Sequence, residues 1–127
     1  MVSKIFNKWL ITGANGNLGR RLIAYLLKST SDEIVAVVRS ESALRTLEQL
    51  ISSESIDLGS QKERLSACVA DYTNVADLST AAQGCDRAVH LVGILKATAR
   101  ASYKAAHEDS CVALAQALVD SSVQHIT

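Results

Sequence analysis

Three glycines near the N-terminus follow one another at intervals of three residues, as Gly13, Gly16 and Gly19. A short apolar run, Trp9–Ile11, precedes them, and an amphipathic helical pattern follows at once. Such a loop can hold a dinucleotide pyrophosphate, because the first N–H groups of a helix have no internal partner and lie at its positive end. The first glycine would permit a tight turn, the second a close approach of backbone to phosphate, and the third close packing of the helix on the strand.

The segment from Thr12 to Gly19 reads Thr-Gly-Ala-Asn-Gly-Asn-Leu-Gly. It resembles the Thr-Gly-x-x-Gly-x-x-Gly fingerprint of the short-chain dehydrogenase/reductase superfamily, above all the extended branch (NAD-dependent epimerases and dehydratases) and the atypical NmrA-like branch. The resemblance implies an NAD(P)-binding Rossmann fold of an oxidoreductase or epimerase/dehydratase. It also implies cofactor contacts from the loop residues Gly13, Ala14, Asn15, Gly16, Asn17, Leu18 and Gly19. An ordinary strand-to-helix turn is the alternative for the glycine spacing alone.

Alternating strand and helix patterns continue through the chain and would position this loop. The expected strands cover Lys8–Thr12, Ile34–Val38, Leu65–Ala70, Arg87–Val92 and the start of a fifth at Val123–Ile126. The expected helices cover Asn17–Lys28, Ser42–Ile51, Val75–Ala82 and Ser102–Ser121, with a polar loop over Ser52–Arg64. The alternation predicts an α/β fold with a Rossmann-type doubly wound parallel sheet. Its expected strand order is 3-2-1-4-5, with a ligand crevice at the carboxyl ends of strands one and four.

The residue that ends the second strand chooses between the two nicotinamide cofactors. An Asp or Glu there would accept hydrogen bonds from the ribose hydroxyls of NAD and repel a 2′-phosphate. This chain has Arg39 and Ser40 at that position, and a guanidinium pairs with a phosphate through two charge-assisted hydrogen bonds. We therefore expect NADP as the cofactor in preference to NAD. A solvated arginine is the alternative for Arg39, and Arg20 at the helix start is a second candidate for the phosphate.

The residues that follow strands three and four complete the predicted site. The resemblance implies that Asp71 meets the adenine amino group and that Tyr72 lies beside the adenine ring. Helix or turn capping is the alternative for Asp71, and covering of the sheet edge is the alternative for Tyr72. By the same resemblance, Val92 and Gly93 pass the cofactor ribose. We expect His90, inside the strand, to be a packed and hydrogen-bonded core residue and not a catalytic one.

No catalytic pair is expected in this chain. Enzymes of the superfamily carry Tyr-x-x-x-Lys, in which the lysine lowers the tyrosine pKa for proton exchange with substrate. The residues four places after Tyr25, Tyr72 and Tyr103 are not lysines. We interpret residues 1–127 as an NAD(P)-binding domain, the N-terminal portion of a longer protein that is truncated at the fifth strand. A non-catalytic dinucleotide sensor and a structural or assembly subunit with the cofactor as a structural ligand remain alternatives.

Composition excludes several other kinds of protein. The 127 residues carry a formal net charge of zero, which argues against nucleic acid or an anionic membrane as partner. The three cysteines lie far apart and lack metal-ligand spacing, so we expect no metal site, and a reducing cytoplasm is the default location. The unpaired edge of a truncated fifth strand predicts self-association through that edge.

Overall fold

The computed structural model describes residues 6–53, 64–91, 108–119, 121, 123 and 125–127. Its strands are β1 (Lys8–Thr12), β2 (Glu33–Val38), β3 (Leu65–Val69), β4 (Arg87–His90) and β5 (His125–Ile126). Its helices are α1 (Asn17–Ser29), α2 (Glu41–Ser53), α3 (Val75–Ala81) and α4 (Ser110–Leu118). No helix in the described ranges has the length and apolar character needed to span a membrane.

The five strands form one parallel sheet in the order β3-β2-β1-β4-β5. At the centre of the sheet, Leu10 of β1 stands opposite Val35 of β2 on one side and Ala88 of β4 on the other. The predicted fold class and strand order are confirmed. In a parallel sheet all carboxyl ends lie at one edge, so the segments that follow β1 to β4 meet there.

Most predicted element boundaries agree with the observed ones to within two residues. The expected polar loop begins later than predicted, because Ser52 and Ser53 are the last residues of α2. The strand β4 ends at His90, whereas the prediction continued it to Val92. Residues 92–107, which include Val92, Gly93 and the first part of the predicted fourth helix, lie outside the described residues.

Two hydrophobic layers cover the sheet, one on each face. The helices α1 and α2 pack on one face, where Ile11, Ile23 and Leu47 are buried together. The helices α3 and α4 pack on the other face, where Leu78 and Leu114 are buried with Leu10. The strand β2 is buried along nearly its whole length, because side chains on both faces of a central parallel strand are covered by helices.

One side chain holds the turn between α1 and β2 in place. The guanidinium of Arg64 donates to the carbonyl oxygens of Leu27, Thr30 and Asp32, at 2.8, 2.9 and 3.0 Å. These carbonyls lie at the negative end of α1 and in the turn that follows it, where a cation is favoured. The bonds join the chain segment before β3 to the end of a helix more than thirty positions earlier.

Candidate functional site

The glycine loop leaves β1 through a turn that favours glycine. Gly13 has φ 63°, a left-handed backbone conformation that residues with a Cβ rarely adopt. Its carbonyl oxygen accepts a hydrogen bond of 3.0 Å from the N–H of Gly16, and the N–H of Ala14 donates to the Val37 carbonyl at 3.3 Å. The side chain of Ala14 is fully buried. The loop is therefore a folded turn fastened to the end of β2.

The third glycine is where α1 and the loop touch. A Cβ added to Gly19 would lie 2.5 Å from the Gly13 carbonyl oxygen and 2.9 Å from the Ala14 Cα. A Cβ on Gly16 would meet the Gly13 oxygen at 3.3 Å. The close approach of α1 thus requires a glycine at position 19; the motif predicted packing on the strand, and the contact is with the loop residues Gly13 and Ala14.

The start of α1 is open to an anion. No side chain caps this helix at Gly16, and its first turn contains no acidic residue. The structure gives the N–H groups of Asn17, Leu18 and Gly19 no acceptor among the residues it describes. Leu18 is 64% exposed beside them. The positive end of the helix dipole and these amide donors together suit a phosphate group.

Tyr72 lies beneath the loop. Its hydroxyl accepts a hydrogen bond of 2.9 Å from the N–H of Gly13 and donates one of 2.9 Å to the carbonyl oxygen of Val37. The residue is 8% exposed, and this burial raises the pKa of the hydroxyl above its usual range. The structure thus places Tyr72 between the ends of β1 and β2, a contact that sequence reasoning missed.

A partly buried polar network joins β1, β4 and α4 next to the loop. The hydroxyl of Thr12 and Nδ1 of His90 are 2.7 Å apart, and Nε2 of His90 lies 3.2 Å from the hydroxyl of Ser110. The N–H of Leu91 donates to the Thr12 hydroxyl oxygen at 3.2 Å. The rings of His90 and Tyr72 meet edge to face at 76°, with centroids 6.5 Å apart. As expected, His90 is a packed and hydrogen-bonded residue.

The acid sensitivity of the fold should depend on His90. Burial lowers the pKa of this imidazole below its ordinary value of 6.5, so the unfolded chain binds the proton more tightly than the folded one. The free energy of unfolding should therefore fall as the pH drops below about 6.5, where His90 takes up a proton in the unfolded chain before it does so in the folded one. Urea denaturation at pH 7.5 and pH 5.5 measures this fall, and His90→Gln should reduce it. An equal fall in both proteins would contradict the prediction.

Arg39 and Ser40, the two residues that follow β2, differ in their hydrogen bonding. The hydroxyl of Ser40 accepts a hydrogen bond of 3.1 Å from the N–H of Ala43 at the start of α2. Ser40 is thus engaged at a helix start, as a capping serine is. Arg39 is exposed, and its guanidinium forms no hydrogen bond or ion pair with any residue that the structure describes. The other candidate, Arg20, donates to the Asn17 side chain at 2.9 Å.

Asp71 stands at the same edge of the sheet, after β3. Its Oδ1 accepts hydrogen bonds from the N–H and the hydroxyl of Thr73, at 2.9 and 2.7 Å. These bonds lower the pKa of the exposed carboxyl group. The helix α3 is capped by Asn74, whose side chain accepts from the N–H of Asp77 at 3.1 Å. Asp71 therefore caps the turn before α3, which is one of the two capping roles considered for it, while Asn74 caps the helix itself.

The described part of the site joins the segments that follow three strands. The glycine loop, Arg39 and the Asp71–Tyr72 pair all lie at the carboxyl edge of the sheet. The two remaining predicted contacts, Val92 and Gly93, lie outside the described residues. Among the residues that the structure describes, no group of His, Cys, Asp and Glu side chains could hold a metal ion. The site therefore offers the amide donors at the start of α1 for a phosphate, and the guanidinium of Arg39 lies at the same edge of the sheet.

Comparison with known protein families identifies the kind of ligand. A family model described as NAD(P)H-binding matches residues 13–127, which include the glycine loop and all the segments at the carboxyl edge. No match was found among curated proteins.

Several solved structures have the same fold. They include Pen from Bacillus thuringiensis (TM-score 0.79, 14% identity, 94% of this chain and 37% of that one). DesIV, a dTDP-glucose 4,6-dehydratase from Streptomyces venezuelae with NAD and TYD bound, has a TM-score of 0.76 at 19% identity, with coverage of 94% and 38%. A UDP-N-acetylglucosamine 4-epimerase from Methanobrevibacter ruminantium M1 has a TM-score of 0.71 at 16% identity, with coverage of 95% and 36%. The chain thus spans little more than a third of the length of these proteins.

Proposed function

The chain belongs to the NAD(P)H-binding family, and we propose that it is the NADP-preferring cofactor domain of an oxidoreductase, epimerase or dehydratase related to the short-chain dehydrogenase/reductases. The observation that carries the proposal is the uncapped start of α1 behind a glycine turn. Its free amide donors face the carboxyl edge of the sheet, where Arg39 directly follows β2. The proposed domain covers residues 1–127.

The cofactor pyrophosphate would be held by the backbone at the start of α1. The amides of Asn17 and Leu18 are the proposed donors, because the N–H of Gly13 is already bonded to Tyr72. The exposed carboxylate of Asp71 would accept a hydrogen bond from the adenine amino group. Val92 and Gly93 would line the ribose, as the resemblance to the superfamily implies. The cofactor, when bound, supplies hydride chemistry, while these residues only bind and orient it.

The preference for NADP rests on Arg39. Its exposed guanidinium forms no hydrogen bond or ion pair within the described part of the chain, so it is available for a 2′-phosphate. Arg39 stands where NAD-binding sites have a carboxylate. The hydroxyl of Ser40 is already bonded to the N–H of Ala43, which makes Ser40 the weaker contributor of the two.

Titration with NADPH and NADH tests the proposal. Wild-type protein should bind NADPH more tightly, and Arg39→Asp should weaken NADPH binding about 10- to 100-fold, since a charge-assisted hydrogen bond contributes about 1.5–3 kcal/mol. NADH binding should change far less. Arg45→Asp, at an exposed position of α2, is the control and should leave both affinities unchanged. Equal affinity for both nucleotides would refute the NADP preference, and binding of neither would refute the function.

The chain shows no Tyr-x-x-x-Lys pair in its 127 residues, so we propose that this domain binds the cofactor and does not itself carry out the reaction. The sensor and structural-subunit alternatives predict different binding behaviour. Strong discrimination between NADPH and NADP⁺ would favour a redox sensor. Very slow exchange of a tightly bound cofactor would favour a structural ligand.

Self-association through β5 is also part of the proposal. No strand among the described residues pairs with the outer edge of β5, and Ile126 there is 55% exposed. An unpaired edge with an apolar side chain is a template for a second strand. Sedimentation of the 127-residue chain should show a concentration-dependent dimer, and Ile126→Lys should shift it to monomer. A wild-type chain that remains monomeric at high concentration would contradict this prediction.

We propose a cytoplasmic location and no nucleic-acid partner. Cys68, Cys85 and Cys111 are free thiols, which suits a reducing compartment. The formal net charge of zero gives no general attraction to a polyanion.

A further inference from the structure

Two hydrogen bonds at a single hydroxyl connect three parts of the candidate site. Tyr72 follows β3, Gly13 begins the glycine loop, and Val37 lies near the end of β2, two residues before Arg39. The Tyr72 hydroxyl accepts from Gly13 and donates to Val37, both at 2.9 Å. The same Val37 carbonyl accepts from the N–H of Ala14 at 3.3 Å. The first two amides of the loop are therefore fastened to one carbonyl, one directly and one through the tyrosine.

These hydrogen bonds restrain the loop at Gly13, the position where the residue type itself restricts the backbone least. Gly13 has φ 63°, and a glycine has more accessible conformations than any other residue. The bond from its N–H fixes the orientation of the peptide that leads into the turn. Tyr72 is almost fully buried, and its ring packs against His90, so packing fixes the position of the ring that carries the hydroxyl.

The Tyr72 hydroxyl keeps its proton at neutral pH. Burial raises the pKa of the group, and a neutral phenol can accept from one partner and donate to another. A phenylalanine at this position would preserve the ring and its packing. It would remove both hydrogen bonds at once.

We propose that Tyr72 is a positioning residue, whose hydroxyl holds the glycine loop in its pyrophosphate-binding shape through the bonds to Gly13 and Val37. This inference rests on the proposed nucleotide-binding function. It assigns the tyrosine to the phosphate end of the cofactor and not to the adenine ring. Because the loop geometry is set in advance, a bound pyrophosphate meets amides that need no further ordering.

Two ligands separate a loop-positioning role from an adenine contact. NADPH contains the pyrophosphate, whereas 2′-AMP carries the adenine, ribose and 2′-phosphate without it. Tyr72→Phe should weaken NADPH binding about tenfold or more and change 2′-AMP binding less than about twofold. Tyr25→Phe is the matched control, because Tyr25 is 63% exposed on α1, and it should bind both ligands like wild type.

Other outcomes would overturn the inference. Unchanged NADPH affinity in Tyr72→Phe would show that the hydroxyl does not position the loop. An equal loss for both ligands would assign Tyr72 to the adenine pocket or to overall stability. If wild-type protein binds neither ligand, the proposed function fails, and amide hydrogen exchange of Gly13 tests the positioning role alone. Exchange at Gly13 that is protected in wild type and at least about tenfold faster in Tyr72→Phe supports it. An unprotected Gly13 amide in wild type refutes it, even if the variant does not fold.

Discussion

Replacement of Gly19 by alanine should lower the free energy of unfolding by about 3 kcal/mol, the upper part of the range for overpacking. The added Cβ would lie 2.5 Å from the Gly13 carbonyl oxygen, and 2.9 and 3.0 Å from the Cα and carbonyl carbon of Ala14. All three atoms are backbone, and hydrogen bonds to Tyr72 and Val37 hold that backbone in place. Either the loop or α1 must move away. Urea denaturation followed by circular dichroism measures the loss.

Gly16→Ala is the matched control within the same motif. Its Cβ would meet only the Gly13 oxygen, at 3.3 Å, which a small shift of the loop can relieve. Alanine is a poorer N-cap than glycine, so a loss of about 1 kcal/mol is expected. Gly16 is exposed at the start of α1, where the phosphate would bind. The added methyl group should therefore reduce the free energy of NADPH binding by more than it reduces the free energy of unfolding. Equal stabilities of the two alanine variants would show that helix and loop are not in tight contact.

Arg64→Ala should also destabilise the protein strongly, by about 3 kcal/mol. The substitution removes hydrogen bonds from a guanidinium to three carbonyl oxygens, those of Leu27, Thr30 and Asp32. Hydrogen bonds to charged groups contribute about 1.5–3 kcal/mol each and do not add fully when they share one side chain. A cation at the negative end of α1 is lost as well. Equilibrium unfolding in urea measures the change.

Two further variants show whether the loss of stability in Arg64→Ala comes from the hydrogen-bond geometry of the guanidinium or from its charge. Arg45→Ala removes an exposed arginine of α2 and should cost less than about 0.5 kcal/mol. Arg64→Lys keeps the charge but has a single nitrogen, which cannot reach all three carbonyls in the same way, so it should recover only part of the loss. A loss in Arg64→Ala no larger than that in Arg45→Ala would contradict the structural role.

Local patterns were sufficient to predict most of the architecture. The apolar run of β2 was predicted as Ile34–Val38 and is observed as Glu33–Val38. The helix after the glycine loop was predicted to begin at Asn17, and it does. Strand order followed from the alternation of elements, because right-handed crossovers leave few arrangements of a parallel sheet. The need for a small residue at position 19 was also predictable, because the third glycine of the motif permits close approach of the helix, although the contact is with the loop and not with the strand.

The contacts that hold the candidate site in shape were not predictable in this way. Tyr72 was expected beside the adenine or at the sheet edge, and no local pattern indicates that its hydroxyl bonds to a loop 59 positions earlier in the chain. Arg64 was assigned to a polar loop, although it caps a helix 37 positions away. Neither residue belongs to a periodic pattern. Their hydrogen-bond partners become neighbours only after the sheet has formed.

The amino-acid sequence by itself determined the α/β class, the strand order and the place of the glycine loop, because hydrophobic periodicity and glycine spacing act over a few residues. Tertiary structure alone decided which polar side chains support that loop. The Thr12–His90–Ser110 network and the Tyr72 bonds join residues from separate elements. Directional hydrogen bonds depend on distances of a few tenths of an ångström, and only the packing of helices on both faces of the sheet sets those distances.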